Sequence, residues 1–263
     1  MPETGGFAVR AFGCNIHVAG EGEDAQIVLE RYVFPSLPRT VAGDEKPDLV
    51  LRIAPAGGGF QLSVNEAAVA SAAGAIDLVP ELVRALDEAV LARLSALRAV
   101  HAGVVLLGGR ALLLPGATHS GKSSLVAELL RRGAVYYSDE YALIDPEGHV
   151  HPYPRPLLLR AGRPEQVPAR AEDFNAQVGD GPAPVGWILA LEYEPVGAWS
   201  IVAVPQSMAL LTLLRNTPHI LAESPDIVRV FHRAVARAAC YAGSRADAVD
   251  AVEHILRLID GAR

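Results

Sequence analysis

The 263-residue sequence predicts an α/β protein: a core with a mixed sheet, a smaller and mostly β region before it, and helices after it. Three observations carry that expectation. Hydrophobic residues make up 51% and charged residues 20%, which supplies a packed core and excludes global disorder. From 101 onward, strand-like and helix-like segments follow one another as an α/β fold requires. Between one such strand and helix stands Gly116-Ala-Thr-His-Ser-Gly121-Lys122-Ser123, which fits G-x-x-x-x-G-K-[ST].

Residues 1–76 hold the apolar runs FAVRAFG, DLVLRIAP, FQLSV and EAAVA, broken by AGEGED and PAGGG, a pattern of short strands and turns. From 79 the pattern becomes helical. Pro80 suits a first helical position, and Leu82, Leu86, Val90, Leu94 and Leu97 recur at helical spacing, predicting a linking helix over 79–98. The chain is therefore divided into 1–98, β-rich with a linking helix, and 99–263, the domain that carries the glycine-rich motif. HAGVVLL and ALLL flank Gly108-Gly109, a two-residue hairpin signal; with Leu107 facing Arg110, His101 stands opposite Gly116. Beyond the glycine-rich loop, SSLVAELLRR predicts a helix ended by Gly133, and AVYYSDE a buried strand running into Asp139 and Glu140. YALID and GWILALEYE predict further strands. Residues 161–184, rich in Pro, Gly and charge, read as a long mobile loop, a candidate lid or acceptor-docking surface. Helices are expected at 205–215, 225–241 and 246–260, the last with Val249, Val252, Leu256 and Ile259 on one face.

Charge and cysteine content narrow the function classes. Lys and Arg number 23 against 30 Asp and Glu, a net charge of −7, which argues against nucleic acid or an anionic membrane as the partner. Cys14 and Cys240 are too few for a disulfide framework, and a reducing cytoplasm is expected. The opening MPETGGFAVR has no basic segment followed by an apolar core, so no signal peptide is expected. The most apolar stretch, 102–118, is interrupted by Gly108, Gly109, Arg110 and Pro115 and does not read as a membrane helix.

The loop motif carries a mechanism. Backbone N–H groups of Gly116, Ala117, Thr118, His119, Ser120 and Gly121, with the helix start at Ser123 and Ser124, would wrap a β-phosphate. Lys122 would neutralise the β- and γ-oxygens and Ser123 would ligate Mg²⁺. His119 stands where many such loops have glycine, which tolerates positive φ better; it reads as solvent-facing, with reach to the γ-phosphate as the alternative. No N-K-x-D guanine reader and no LSGGQ motif is present, which leaves kinase, ATPase or nucleotide-binding switch. Asp139 and Glu140 end the next strand, where one carboxylate would hold Mg²⁺ and the other accept a proton from a hydroxyl. Rival carboxylates are Asp145, in the turn DPEG, and Glu192 and Glu194. His149-Val-His151 and Cys14-Asn-Ile-His17 each lack an evident third metal ligand.

His101, the phosphate loop and the acidic pair, in that order, resemble the HPr kinase/phosphorylase family, whose fold is related to phosphoenolpyruvate carboxykinase. His101 lies 21 residues before Lys122 and Asp139 lies 17 after it, spacings that match the family's. The resemblance covers 98–160 well and the C-terminal third in outline. It implies ATP and Mg²⁺ at Lys122 and Ser123, Asp139 as the base that activates a serine hydroxyl, and His101 as a group that orients or charges the site. Glu140 stands where the family usually has a second aspartate, which implies a metal role. The family's later Glu before Arg-Gly is replaced in PLLLRAG by Leu158, with Arg160 keeping the arginine, and its basic loop is matched thinly by LRN at 214–216. Residues 1–98 do not resemble the full-length carbohydrate-regulating enzymes. Related stand-alone kinases tailor peptides, including a C-terminal serine on lasso-peptide precursors, and family members are often homo-oligomers.

The resulting expectation is an ATP- and Mg²⁺-dependent kinase acting on a serine of a protein or peptide, with Lys122, Asp139 and His101 at the chemistry. The alternatives are a nucleotide-binding regulatory module without transfer, which His119 and Leu158 favour, and a small-molecule kinase.

Overall fold

The computed structural model describes residues 4–40, 46–116, 120–160, 165–218, 220 and 225–261. Contacts along the chain divide it into two units, Met1–Ser95 with Arg160–Pro168, and Ala96–Leu159 with Ala169–Arg263. The return of Arg160–Pro168 to the first unit has no counterpart in the sequence pattern.

In the first unit, β1 (Thr4–Ala11) and β2 (Cys14–Glu21) form an antiparallel hairpin. Then come α1 (Glu23–Tyr32), β3 (Arg39–Thr40), β4 (Leu49–Ala56), β5 (Gly59–Val64), β6 (Ala67–Ala72), a 3-10 turn over Ala75–Leu78 and α2 (Val79–Leu91). The sheet order is β3-β1-β2-β4-β5-β6. β2 and β4 are parallel, because α1 provides the crossover that parallel neighbours need. Along β2 every second residue is buried, among them Cys14, Ile16 and Val18. Ala25, Val28 and Leu29 of α1 and Leu82, Val83, Leu86 and Val90 of α2 are buried too. The acidic residues that read as a turn, Glu23 and Asp24, occupy the first turn of α1, where the helix dipole favours negative charge. α2 ends at Leu91 rather than 98. Leu94 and Leu97 keep helical spacing, but Arg93 turns toward Asp48, its Nε 3.0 Å from Oδ1, and Arg98 already belongs to a strand.

The second unit holds β7 (Arg98–Leu107), β8 (Arg110–Pro115), α3 (Lys122–Arg131), β9 (Val135–Ser138), β10 (Tyr141–Ile144), β11 (His149–His151) and β12 (Leu157–Leu159). Val167–Ala169 forms β13, at the junction of the two units. There follow β14 (Ala183–Tyr193), β15 (Ser200–Ala203), α4 (Gln206–Arg215), α5 (Ile227–Val235), β16 (Ala239–Arg245) and α6 (Ala248–Gly261). The main sheet runs β11-β10-β7-β8-β14-β16-β15, with β9 beside β7 and β11 pairing β14 as well as β10. The mixed α/β class expected from the sequence holds.

Strand directions decide where a site can form. β8 and β9 both run antiparallel to β7, and β14 and β16 run parallel to β8. The carboxyl ends of β8, β9, β14 and β16 therefore share one edge, where ligands of open α/β sheets bind. Both faces of the sheet are covered. Val105, Leu112, Leu114, Leu189 and Leu191 pack with α3 and α6 residues such as Leu125, Leu129, Val252 and Ile255. Val104, Leu113, Val185 and Ile188 pack with Leu213 of α4 and with Val230 and Phe231 of α5.

Two expectations are corrected here. The helix read over 225–241 stops at Val235, and Ala239–Arg245 becomes β16 between β14 and β15. The loop read over 161–184 is tied to β9 over its later part: Tyr136 N–H donates to the Gln177 carbonyl at 2.8 Å, Gly179 N–H to the Tyr136 carbonyl at 2.9 Å, and Tyr137 Oη to the Gly181 carbonyl at 2.7 Å. Residues 161–164 lie outside the described residues. Among the described residues no helix is long and apolar enough to cross a membrane, and Cys14 and Cys240 are free and buried.

Candidate active site

The β7–β8 hairpin brings the first two site residues together. Gly108 and Gly109 have φ of 55° and 77°, the left-handed pair a two-residue turn demands, and the register pairs Leu107 with Arg110 and Ala102 with Pro115. That register sets His101 against Gly116, whose N–H donates to the His101 carbonyl at 3.3 Å. On its other edge β7 carries β9 and β10 in a common register, Val104 opposite Ser138 and Tyr141 opposite His101. Asp139 and Glu140 fill the break between them, held by Ser138 Oγ, which accepts the N–H groups of Glu140 and Tyr141 at 3.2 and 3.1 Å. Ala102 N–H donates to the Glu140 carbonyl at 2.9 Å. His101, the loop and the acidic pair thus meet across one strand.

The glycine-rich loop is described at Gly116 and from Ser120 onward; Ala117, Thr118 and His119 lie outside the described residues. Gly121 has φ of 77° and caps α3, whose far end closes with Ala134 N–H on the Leu129 carbonyl at 3.1 Å and Gly133 N–H on Leu130 at 3.0 Å. Lys122 is 7% exposed, and its Nζ donates to the Gly116 carbonyl at 2.9 Å. Burial lowers its pKa, and Glu140 and Asp139 oppose that shift. Ser124 is exposed in the first turn of α3.

The two carboxylates have different neighbours. Asp139 is 1% exposed and accepts Ser123 Oγ at 2.9 Å on Oδ2, while Arg155 Nη1 lies 3.3 Å from Oδ1. The Leu158 N–H also donates to it, so that position serves Asp139 through its backbone. Burial pushes the Asp139 carboxyl up, against the pull of Arg155. Glu140 is more open, with Oε1 2.5 Å from His101 Nε2 and Oε2 3.6 Å from Arg155 Nη1. Burial would raise its pKa, but the hydrogen bond to His101 and the Arg155 charge outweigh it and hold the carboxyl low. Ser123, expected beside Glu140, therefore meets Asp139, because the break in the strand turns successive side chains in different directions.

A triphosphate and a hard divalent cation fit this donor set. Ser120 Oγ is buried with no hydrogen-bond partner among the described residues. A Cβ on Gly116 would stand 2.9 Å from that oxygen, so the close approach of Ser120 needs glycine at 116. Ser123 and Asp139 present a hydroxyl and a carboxylate side by side, the oxygen ligands Mg²⁺ takes.

The remaining expectations fall elsewhere. Asp145 holds its own turn, its Oδ1 accepting the N–H groups of Glu147 and His149 at 3.0 and 2.8 Å. His151 Nε2 lies 3.0 Å and His149 Nδ1 3.8 Å from Asp145 Oδ2. Among the described residues, no group of three or more His, Cys, Asp or Glu is arranged to hold a metal. Glu192 and Arg160 are exposed, and Asn216, in the thin basic match, offers its carbonyl to the His101 N–H at 2.7 Å. Sequence reasoning missed two arginines. Arg155 sits between prolines in PYPRP, a buried charge in an unpatterned segment, and Arg245 ends β16, only the first three residues of which were read as helix. No protein-family model matches the chain, and no curated protein matches it.

Proposed function

We propose that this protein is an ATP- and Mg²⁺-dependent phosphotransferase that moves the terminal phosphoryl group to a hydroxyl. The observation that carries this reading is the meeting of Lys122 and Ser123 with Asp139, Glu140 and His101 at one sheet edge, with Ser123 Oγ 2.9 Å from Asp139. The loop amides and Lys122 bind the phosphates, and Ser123 and Asp139 together hold the cation. Mg²⁺, when bound, supplies charge neutralisation on the β- and γ-phosphates. Arg155, its Nη1 3.3 Å from Oδ1, opposes the upward push of burial on the Asp139 carboxyl and holds it in place.

The assignment of the two acids is reversed from the expectation of the sequence. Asp139, enclosed and bonded to Ser123, suits the cation; Glu140, more open and oriented by His101, suits the proton. As the acceptor oxygen bonds to phosphorus and the bond to the β-phosphate oxygen breaks, the hydroxyl proton passes to Glu140 and ADP leaves. A serine of a protein or peptide as acceptor rests on the resemblance to HPr kinases.

Incubation with γ-labelled ATP, Mg²⁺ and serine-bearing peptides tests the reading. Glu140→Gln should bind ATP normally and lose transfer by at least a hundredfold, the usual worth of a general base, whereas Lys122→Ala should lose both. Binding without transfer to peptides or to small hydroxyl compounds would make the protein a nucleotide-binding module. Unimpaired transfer by Glu140→Gln would return the proton to Asp139.

A further inference from the structure

Two and three strands away from β7, the ends of β14 and β16 lie in register, Tyr193 opposite Arg245, and Glu194 N–H donates to the Arg245 carbonyl at 2.9 Å. The Arg245 side chain is 2% exposed and turns toward the glycine-rich loop, where Nη2 donates to the Ser120 carbonyl at 2.9 Å. Nη1 donates to the Ala246 carbonyl at 2.9 Å, and Nε has no partner among the described residues. No carboxylate among the described residues lies within ion-pair distance of it. A Cβ on Gly121 would fall on this guanidinium, and the φ of 77° there favours glycine as well. A trans peptide points its N–H away from its C=O. The Gly121 N–H therefore points away from the guanidinium that holds the Ser120 carbonyl.

The guanidinium also lies over the Tyr193 ring, 4.9 Å from its centroid, yet Tyr193 stays 50% exposed. One side of the ring is thus taken by a cation that touches the phosphate loop, and much of the rest is open. Burying an arginine without a direct ion pair is costly; Asp247 offsets part of that cost from beyond ion-pair distance, and an anion in the adjacent loop would offset more. An exposed aromatic ring one guanidinium away from bound phosphates is where an aromatic base on the same ligand would lie.

Resting on the phosphate-binding reading of the loop, we propose that Tyr193 and Arg245 form the nucleoside half of the site: Tyr193 stacks the base through its open face, and Arg245 links that platform to the loop. The ligand is a nucleoside triphosphate rather than a bare polyphosphate. Arg245 acts as a positioning residue, and Tyr193 makes the contact that distinguishes a nucleotide.

Calorimetric binding of Mg·ATP and of Mg·tripolyphosphate to the full chain separates these roles. Wild type should prefer ATP by about tenfold or more, within the range of base–aromatic stacking. Tyr193→Ala should weaken ATP by that factor and leave tripolyphosphate unchanged, and Tyr193→Phe should restore ATP. Arg245→Met should weaken both ligands, with Arg245→Lys recovering part of each. Equal affinity of wild type for the two ligands, or equal weakening of both by Tyr193→Ala, overturns the proposal while the phosphate loop stands. Failure of wild type to bind either ligand overturns the phosphate-binding reading itself, and this inference with it.

Discussion

Lys122 shows most directly what a buried charge costs the fold. Its ammonium is buried and its pKa lowered by that burial, so the folded state carries a cost at every pH below the lowered value. Lys122→Met keeps the buried stem without the charge. It should abolish nucleotide binding yet raise Tm by about 2–4 °C, the shift that ~1 kcal/mol produces in a protein of this size. The advantage should shrink as pH rises toward 10.5, because wild-type Lys122 then folds uncharged; thermal melts across alkaline pH check this. Glu140 runs the other way. Its folded pKa lies below the ordinary 4.5, so its contribution is complete above that pH and lost as pH falls through the lowered value. Acid-limb melts of Glu140→Gln should show less loss of stability over that window than wild type, and an identical acid limb would remove Glu140 as a stabilising ion. That the β7–β8 hairpin sets His101 opposite Gly116 was legible from its two glycines. Arg155 and Arg245 were not, because an isolated arginine carries no pattern until the fold buries it.

At the scale of elements, the site depends on how closely α3 sits on β7. Gly103 stands at the crossing, and a Cβ there would meet Val126 Cγ2 at 2.7 Å. Gly103→Ala should cost about 1–3 kcal/mol through overpacking and displace the loop-bearing end of α3, weakening ATP. In a Val126→Ala background the same substitution should cost markedly less, a coupling that denaturant titrations of the four-member cycle read directly. The β7–β8 hairpin was legible to the residue, because two glycines admit one register. β16 was not. ACYAGSR has little β-branched or aromatic content, and its strand state comes from lying between β14 and β15. The α2 boundary was misread for the complementary reason: helical spacing persists through Leu94 and Leu97, while Arg98 is recruited by the sheet.

For the molecule as a whole, the two units have separate cores, and the proposed nucleotide contacts belong to one of them. A ligand stabilises the cooperative unit that binds it, by about 2.7 kcal/mol at a hundredfold excess over Kd. Hydrogen exchange with saturating Mg·ATP should therefore slow amides in β7, β8, α3, β9, β14 and β16 and leave those of β1 to β6 unchanged. Protection spread evenly over both units would contradict this assignment. The sequence by itself determined the mixed α/β class, the hairpin register and the order in which His101, the loop and the acidic pair arrive, since periodicity, turn glycines and motif spacing are local properties of the chain. Only the tertiary structure decided which carboxylate faces Ser123, that Leu158 serves Asp139 through its backbone, and that Arg245 reaches the loop with the Tyr193 ring against it. Those outcomes depend on strand direction and on side chains brought together from distant positions, which no local pattern encodes.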